Sequence, residues 1–382
     1  MKAKVAIDIV KCALENPVST WLDYTPKNVP VVIYDGEEFT FINHPNPPSE
    51  RPNLTAATAL EINGFPTATI PLAMYDDEQS LIPLVYHECF HVYQGQRFQF
   101  NEEYNFFEVL AFYPEMNPTY RALCSAETDI LNNNALSPSE KLKLLSGLIR
   151  KRHEILVQHE GLVDFEKNLE RNEGIASFVE QKARATLFNI SPDNSMCYYG
   201  YSRQYLMGAA ICWLLEQTYP TGEWQKLVEQ GLSLSDFVLQ VTPQEQTDET
   251  MLDFVSKEQL EKQSVEQILT EANRKIENLI NNNSITIKLP EKAQIFRSFS
   301  PRSIISLGDG RLIHPEFVII QTPNGQISIQ GEMTLENYTD GTVVFGATLP
   351  EIHNNKLEIN SENVQISLKQ VRQLSNGIIE FL

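Results

Sequence analysis

The chain has few cysteines and no Cys-x-x-Cys pair. The number is odd, and the segments around the cysteines have helical character. This pattern argues against a disulfide framework and against a cysteine-rich structural zinc site, so free, buried thiols are expected. The five residues are Cys12, Cys89, Cys124, Cys197 and Cys212.

Positive charge and long apolar runs are also scarce. Lys and Arg number 30 against 50 Asp and Glu, which gives a net charge of −20 and argues against binding to nucleic acid or to anionic membranes. The longest apolar run, residues 206–215, is too short to span a bilayer. The amino terminus contains Asp8 and Glu15 and lacks the apolar core of a signal peptide. We therefore expect a cytoplasmic protein without nucleic-acid or membrane partners. No sequence feature sets an oligomeric state.

The residues that are present divide the chain into three parts. Residues 1–80 mix one helix with short strands, residues 81–282 have helical periodicity, and residues 285–382 alternate like the strands of a sandwich or barrel. The predicted fold class is α+β, with a mainly helical domain between a small N-terminal β-sheet and a C-terminal all-β domain. The predicted helices cover residues 81–98, 119–133, 138–160, 162–188, 203–219, 222–231 and 257–281.

Two extended runs flank Asn63-Gly64. Pro66 and Pro71 predict that the second run is an edge strand, because proline cannot donate a hydrogen bond to the sheet. Such an edge, close to the next helix, would be a template for an extended peptide substrate. An ordinary edge strand covered by a loop is an equal alternative.

The predicted helix 81–98 contains the sequence His87-Glu88-Cys89-Phe90-His91. Positions four apart lie on one helix face, so both imidazoles can bind one zinc ion. Glu88 is rotated by about 100° from His87 and can reach a water molecule at the metal without ligating the metal. That is the geometry of a general base. The flanking residues are apolar, and buried polar side chains on such a helix need partners.

A catalytic zinc usually has three protein ligands and one open position. The candidates for the third ligand are acidic residues and several histidines, His44, His153 and His159. Glu173 is the strongest candidate because of the residues around it. It lies in Asn-Glu-Gly-Ile-Ala, residues 172–176, which is followed by Val-Glu at 179–180.

These motifs together resemble the gluzincin class of zinc peptidases. In its aminopeptidase N-like family, a His-Glu-x-x-His helix is paired with a glutamate in a stretch that reads Asn-Glu-Gly-aromatic-Ala. The resemblance implies a zincin-like metallopeptidase domain in which His87, His91 and Glu173 hold Zn²⁺. Glu180 lies two turns after Glu173 and either orients a ligating histidine or is exposed.

The same family has Tyr-x-x-Gly after the glutamate helix, and this chain has Tyr205-Leu206-Met207-Gly208. By this resemblance Tyr205 stabilises the oxyanion of the tetrahedral intermediate, and Tyr201 is the next candidate. Arg203 is a further candidate for an oxyanion or a substrate carboxylate, with a surface ion pair as its alternative use. The chain departs from the family in the 81 residues, 92–172, that separate the second histidine from the glutamate. It therefore looks like a divergent gluzincin with a helical insertion.

The predicted function is a zinc-dependent peptidase with a peptide as substrate. Glu88 acts as the general base, and the metal polarises the scissile carbonyl and activates water. The helices between residues 92 and 172 and the first 80 residues are expected to form the cleft walls, while the C-terminal part stabilises the cleft or binds a partner. The alternatives are a zinc hydrolase of a non-peptide amide or ester, and a non-catalytic binding protein with a peptidase fold.

Overall fold

A computed structural model of the chain describes residues 3–54, 56–99, 104–192, 199–219, 222–242, 254–290, 295–300, 303–349, 351–375 and 377–382. The predicted α+β class is confirmed, with a small N-terminal sheet, a helical region and a C-terminal all-β region. Among these residues no helix has both the length and the apolarity that a membrane span requires. Cys89, Cys124 and Cys212 are free and buried, Cys12 is free but exposed, and Cys197 lies outside the described residues.

The N-terminal part consists of one helix and a mixed sheet with the strand order β2-β1-β4-β3. Strands β1 and β4 are parallel, and the two outer pairs are antiparallel. A short 3-10 turn leads from β4 towards the next helix. The elements are α1 (Ala3–Glu15), β1 (Val31–Asp35), β2 (Glu38–Ile42), β3 (Thr58–Ile62), β4 (Phe65–Pro71) and the turn Leu72–Met74.

The prediction that β4 is an edge strand was wrong. It pairs with β1 on one side and with β3 on the other, and β2 and β3 form the edges. Both prolines are tolerated because they lie at its ends: the pairing with β1 begins at Ala68, beyond Pro66, and Pro71 is the last residue of the strand. Asn63 and Gly64, with φ angles of 48° and 80°, supply the two positive values that a tight hairpin turn between β3 and β4 needs.

The helical region begins earlier than periodicity predicts. Asp77 accepts a hydrogen bond from the backbone N–H of Ser80 at 2.8 Å, and this cap starts the helix at Glu78. Two helices of six and eight residues, α3 and α10, were not predicted, because such lengths show little periodicity. The helices are α2 (Glu78–Arg97), α3 (Phe106–Ala111), α4 (Pro118–Asn132), α5 (Pro138–Leu156), α6 (Leu162–Leu169), α7 (Ile175–Phe188), α8 (Arg203–Thr218), α9 (Glu223–Glu229), α10 (Leu234–Val241) and α11 (Phe254–Asn281).

A π-helical turn, Glu170–Gly174, separates α6 from α7, where the sequence predicts one continuous helix. Helix α8 crosses this turn at backbone contact. A Cβ atom on Gly208 of α8 would lie 2.5 Å from the carbonyl oxygen of Glu170 and 2.7 Å from the Cα atom of Gly174. The glycine of each motif therefore allows α8 to pack directly on the segment that contains Glu173.

The C-terminal region contains two sheets, with the orders β13-β14-β10-β9-β6 and β15-β16-β5-β12-β11-β8-β7. Apolar side chains from both sheets form one buried cluster, as in a β-sandwich. The strands are β5 (Ser284–Lys288), β6 (Phe296–Phe299), β7 (Ile305–Ser306), β8 (Arg311–His314), β9 (Phe317–Thr322), β10 (Gly325–Gln330), β11 (Thr334–Asn337), β12 (Thr342–Gly346), β13 (Lys356–Asn360), β14 (Val364–Lys369), β15 (Val371–Ser375) and β16 (Ile378–Phe381).

This region docks on the helices through backbone contacts and aromatic packing. The backbone N–H of Gly310 donates to the carbonyl of Ala111 at 3.1 Å, and the Ser306 hydroxyl donates to the carbonyl of Tyr113 at 3.1 Å. Ile304 and Leu312 join a buried cluster otherwise formed by residues of the helical region. The β region is thus attached to the same side of the molecule as α3.

The glycine contact yields a stability prediction. Gly208→Ala should lower the free energy of unfolding by about 1–3 kcal/mol, because the new methyl group meets backbone atoms that cannot move aside. Gly95→Ala is the matched control, since Gly95 is an exposed helical glycine with open space at its Cβ position. It should be neutral or slightly stabilising. Urea unfolding of both variants measures the difference, and equal stabilities would contradict the packing argument.

Candidate metal centre

His87, His91 and Glu173 meet at one point between α2 and the π-helical turn. Oε2 of Glu173 lies 3.6 Å from Nε2 of His87 and 3.4 Å from Nε2 of His91. Two ligands about 2.0–2.1 Å from a tetrahedral zinc ion are about 3.3 Å apart. Both nitrogen–oxygen distances therefore fit a shared ion. Within the described part of the chain, these three residues are the group of His, Cys, Asp or Glu side chains that could hold a metal.

The other nitrogen of each imidazole has an acceptor. Oε2 of Glu180 lies 3.1 Å from Nδ1 of His87, and Oε1 of Gln94 lies 2.8 Å from Nδ1 of His91. Acceptors at both Nδ1 atoms favour the tautomer with the proton on Nδ1, which leaves the Nε2 lone pairs facing Glu173. Glu180 was expected either to orient a histidine or to be exposed, and the structure places it against His87.

Gln94 was missed in the sequence, although it lies one turn after His91 on the same helix. Its Nε2 donates to the backbone carbonyls of Asn172 at 2.8 Å and Arg171 at 3.1 Å. These two bonds fix which end of the amide faces His91. Gln94 thus connects the histidine helix to the π-helical turn that contains Glu173. No local sequence pattern predicts a contact between residues so far apart in the chain.

Glu88 follows His87 on α2, is buried, and lies close enough to His87, His91 and Glu173 for their charges to act on it. Its Oε2 accepts no hydrogen bond from any residue that the structure describes. Burial raises the pKa of Glu88, and the nearby histidines only partly oppose this. A buried carboxylate oxygen without a donor is costly. The side chain therefore suits a role in which it takes a hydrogen bond or a proton from a water molecule beside a metal.

The three clustered side chains polarise one another. Burial opposes protonation of His87, but the carboxylates of Glu173 and Glu180 raise its pKa overall. Burial likewise opposes protonation of His91, and Glu173 raises its pKa. Burial would raise the pKa of Glu173, but His91 and His87 lower it well below its usual range. A carboxylate that stays ionised between two imidazoles has the charge and the donor set of a zinc site.

Both tyrosines predicted for the oxyanion line a cavity that also contains Glu173. Burial raises the pKa of Tyr205, and the charge of the Glu173 carboxylate raises it further. Burial also raises the pKa of Tyr201, where Glu173 and Glu115 act through charge alone. Both phenols remain protonated at neutral pH and can donate. The charges of both Glu173 and Glu88 raise the pKa of Tyr205, which favours Tyr205 over Tyr201 as the tyrosine nearer to the predicted base.

The cavity has a volume of about 370 Å³. Its walls come from the segment around α3, from α6, from the π-helical turn, from the start of α8 with the residues before it, and from strand β6. None of the residues that line this cavity belongs to the first 80 residues, so the expectation that those residues form walls of the cleft stays a prediction. The C-terminal region supplies one wall of the cavity through Arg297, Ser298 and Phe299. This placement follows from the docking of the β region beside α3.

A fully buried ionic network lies behind the π-helical turn. The Arg152 guanidinium contacts Glu127, Glu166 and Glu170, and Glu127 also accepts a hydrogen bond from Arg203 at 3.0 Å. Arg203 is therefore buried and paired with Glu127. Both predicted uses, at an oxyanion or substrate carboxylate and in a surface ion pair, were wrong. The network joins α4, α5, α6, α8 and the π-helical turn. It fixes the helices that position Glu173.

No protein-family model matches the chain, and neither the curated proteins nor the solved structures give a significant match. The interpretation of this centre therefore depends on the side-chain geometry described above and on the motifs in the sequence.

The partners of the imidazoles yield a prediction about metal affinity. Gln94→Ala should weaken zinc binding by about 10- to 100-fold, because His91 loses the acceptor that fixes its tautomer and orientation. Gln79→Ala, at an exposed position on the same helix, is the control and should bind zinc like the parent chain. Competition with a chromophoric chelator measures both affinities. An unchanged affinity in Gln94→Ala would show that His91 needs no such support.

Proposed function

We propose that the chain is a zinc-dependent peptidase with a zincin-like site of the gluzincin type. The observation that supports this most directly is the position of Glu173 Oε2, 3.6 and 3.4 Å from the Nε2 atoms of His87 and His91. A carboxylate, two imidazoles and a separate buried glutamate on the same helix form the donor set and base of zinc hydrolases.

Zinc held by His87, His91 and Glu173 would supply Lewis-acid polarisation of the scissile carbonyl and would acidify water. Glu88 takes the proton of the attacking water at Oε2, the oxygen without a donor among the described residues. It then passes a proton to the leaving amine. Tyr205 donates its hydroxyl hydrogen to the developing oxyanion. Glu180 and Gln94 keep both imidazoles in the orientation that this geometry requires.

The base is tested with Glu88→Gln. This variant should bind zinc like the parent chain, because Glu88 is not a ligand, but should lose turnover by about 10²- to 10⁴-fold or more. Glu78→Gln, an exposed glutamate on the same helix, should keep full activity. Turnover is measured by mass spectrometry on a peptide library and on a matched set of esters and non-peptide amides.

The outcomes of this experiment distinguish the peptidase from the two alternative functions and test the role of Glu88. Cleavage of esters without cleavage of any peptide would replace the peptidase by another zinc hydrolase. Absence of turnover in the zinc-loaded parent chain on every substrate would favour a binding protein. A Glu88→Gln variant as active as its parent would remove Glu88 from the mechanism.

The two tyrosines are compared by single-atom substitutions. Tyr205→Phe should lower kcat by about 10²- to 10³-fold with little change in KM, because the lost hydrogen bond acts on charge that develops in the transition state. Tyr201→Phe should have the smaller effect, since the resemblance assigns the oxyanion to Tyr205, which lines the same cavity as Glu173. The reverse order in a steady-state assay would assign the oxyanion to Tyr201.

A further inference from the structure

Strand β6 brings a cationic side chain to the proposed active site. Arg297 lines the same cavity as Glu173 and Tyr205. The cavity volume of about 370 Å³ is that of a site for a small ligand or a short segment of peptide. A guanidinium in this position is notable in a chain with a net charge of −20.

Arg297 is fixed from two sides. Its Nε donates to Oε1 of Glu336 at 2.7 Å, and Oε2 of Glu336 lies 3.3 Å from Nε2 of His314. Its guanidinium carbon lies 4.9 Å from the ring centre of Phe107 and 5.8 Å from that of Tyr338. Only 9% of the side chain is exposed. An arginine held in this way loses little further freedom when it binds a ligand.

The hydrogen bond to Glu336 leaves the two Nη atoms of Arg297 available to a ligand. Glu336 bonds only to Nε, and neither Nη atom donates a hydrogen bond to any residue that the structure describes. Burial would raise the pKa of Glu336, but His314 and Arg297 lower it overall, so the carboxylate that holds Arg297 stays ionised. The two Nη groups form the flat pair of donors that matches the two oxygens of a carboxylate.

We propose that Arg297 determines substrate specificity by binding a carboxylate of the peptide that enters the cavity. The carboxylate is either the free C-terminal group of a short peptide or the side chain of an Asp or Glu near the scissile bond. Both sources present the same pair of oxygens to the Nη atoms. This assignment rests on the proposed peptidase function, and it deepens that function by naming a class of substrate.

The test uses pentaalanine peptides that carry one glutamate at each position in turn, with matched glutamine peptides. Each is made with a free and with an amidated C terminus. The parent chain should cleave carboxylate-bearing peptides with the higher kcat/KM. Arg297→Gln should lower that value by about 10- to 100-fold, mainly through KM, and should change the neutral peptides by less than about twofold.

Two variants control for charge and for stability. Arg372→Gln removes an arginine of the same β region whose side chain is 60% exposed and lies outside the cavity lining, and it should behave like the parent chain. Arg297→Lys keeps the charge but loses the flat pair of donors, so it should retain part of the preference. Dependence on the C-terminal amide identifies the terminal carboxylate as the ligand, and dependence on glutamate position identifies a side chain.

The proposal is overturned if the parent chain cleaves acidic and neutral peptides equally well. It is also overturned if Arg297→Gln slows both classes by the same factor, as a purely structural Arg297–Glu336 pair would require. If the parent chain cleaves no peptide, the proposed function fails separately. In that case, calorimetry measures the binding of the same peptides to the zinc-loaded Glu88→Gln variant, with and without Arg297→Gln. This binding decides whether Arg297 recognises a peptide carboxylate. Equal affinity for the glutamate and glutamine peptides would overturn the proposed role of Arg297.

Discussion

The proposed site depends on a contact between two backbones. The π-helical turn can bring Glu173 to the histidines of α2 only because α8 packs on that turn without an intervening side chain, at Gly174 and Gly208. The same contact places Tyr205, less than one turn before Gly208, beside Glu173. Both short motifs, Asn-Glu-Gly and Tyr-x-x-Gly, thus have a packing role as well as a chemical one, and the packing role comes first.

The ionic network behind the turn has a different character. Burying several carboxylates and guanidiniums costs much of the free energy that their attraction provides, so such a network adds less to stability than its number of contacts suggests. Its directional bonds do restrict how α4, α5, α6 and α8 can pack, because any slip would leave a charge without a partner. Rigid packing of this kind is what a three-ligand site assembled from distant segments requires.

The sequence was informative where a short period or a short motif determines the structure. Helical spacing places His87 and His91 on one face, and Asn-Glu-Gly selects Glu173 by resemblance. The role of Gln94 could not be predicted, because it results from contacts between segments almost 80 residues apart. The π-helical turn could not be predicted either, since its packing against α8 is a contact between separate segments. The interior position of β4 was hidden for a related reason, since the harmless placement of its prolines depends on where the pairing with β1 begins.

The attachment of the β region has a consequence for how the chain can be divided. The chain changes from helix to strand between Asn281 and Ser284, and a truncation at this point would isolate the helical part. Such a fragment would lose β6 and with it one side of the cavity. It would also present to solvent the aromatic surface of Phe106 and Phe107, which Phe299 contacts in the intact chain. The change from helix to strand therefore does not separate two independent parts, because the buried cluster and the cavity wall both use residues from either side of it.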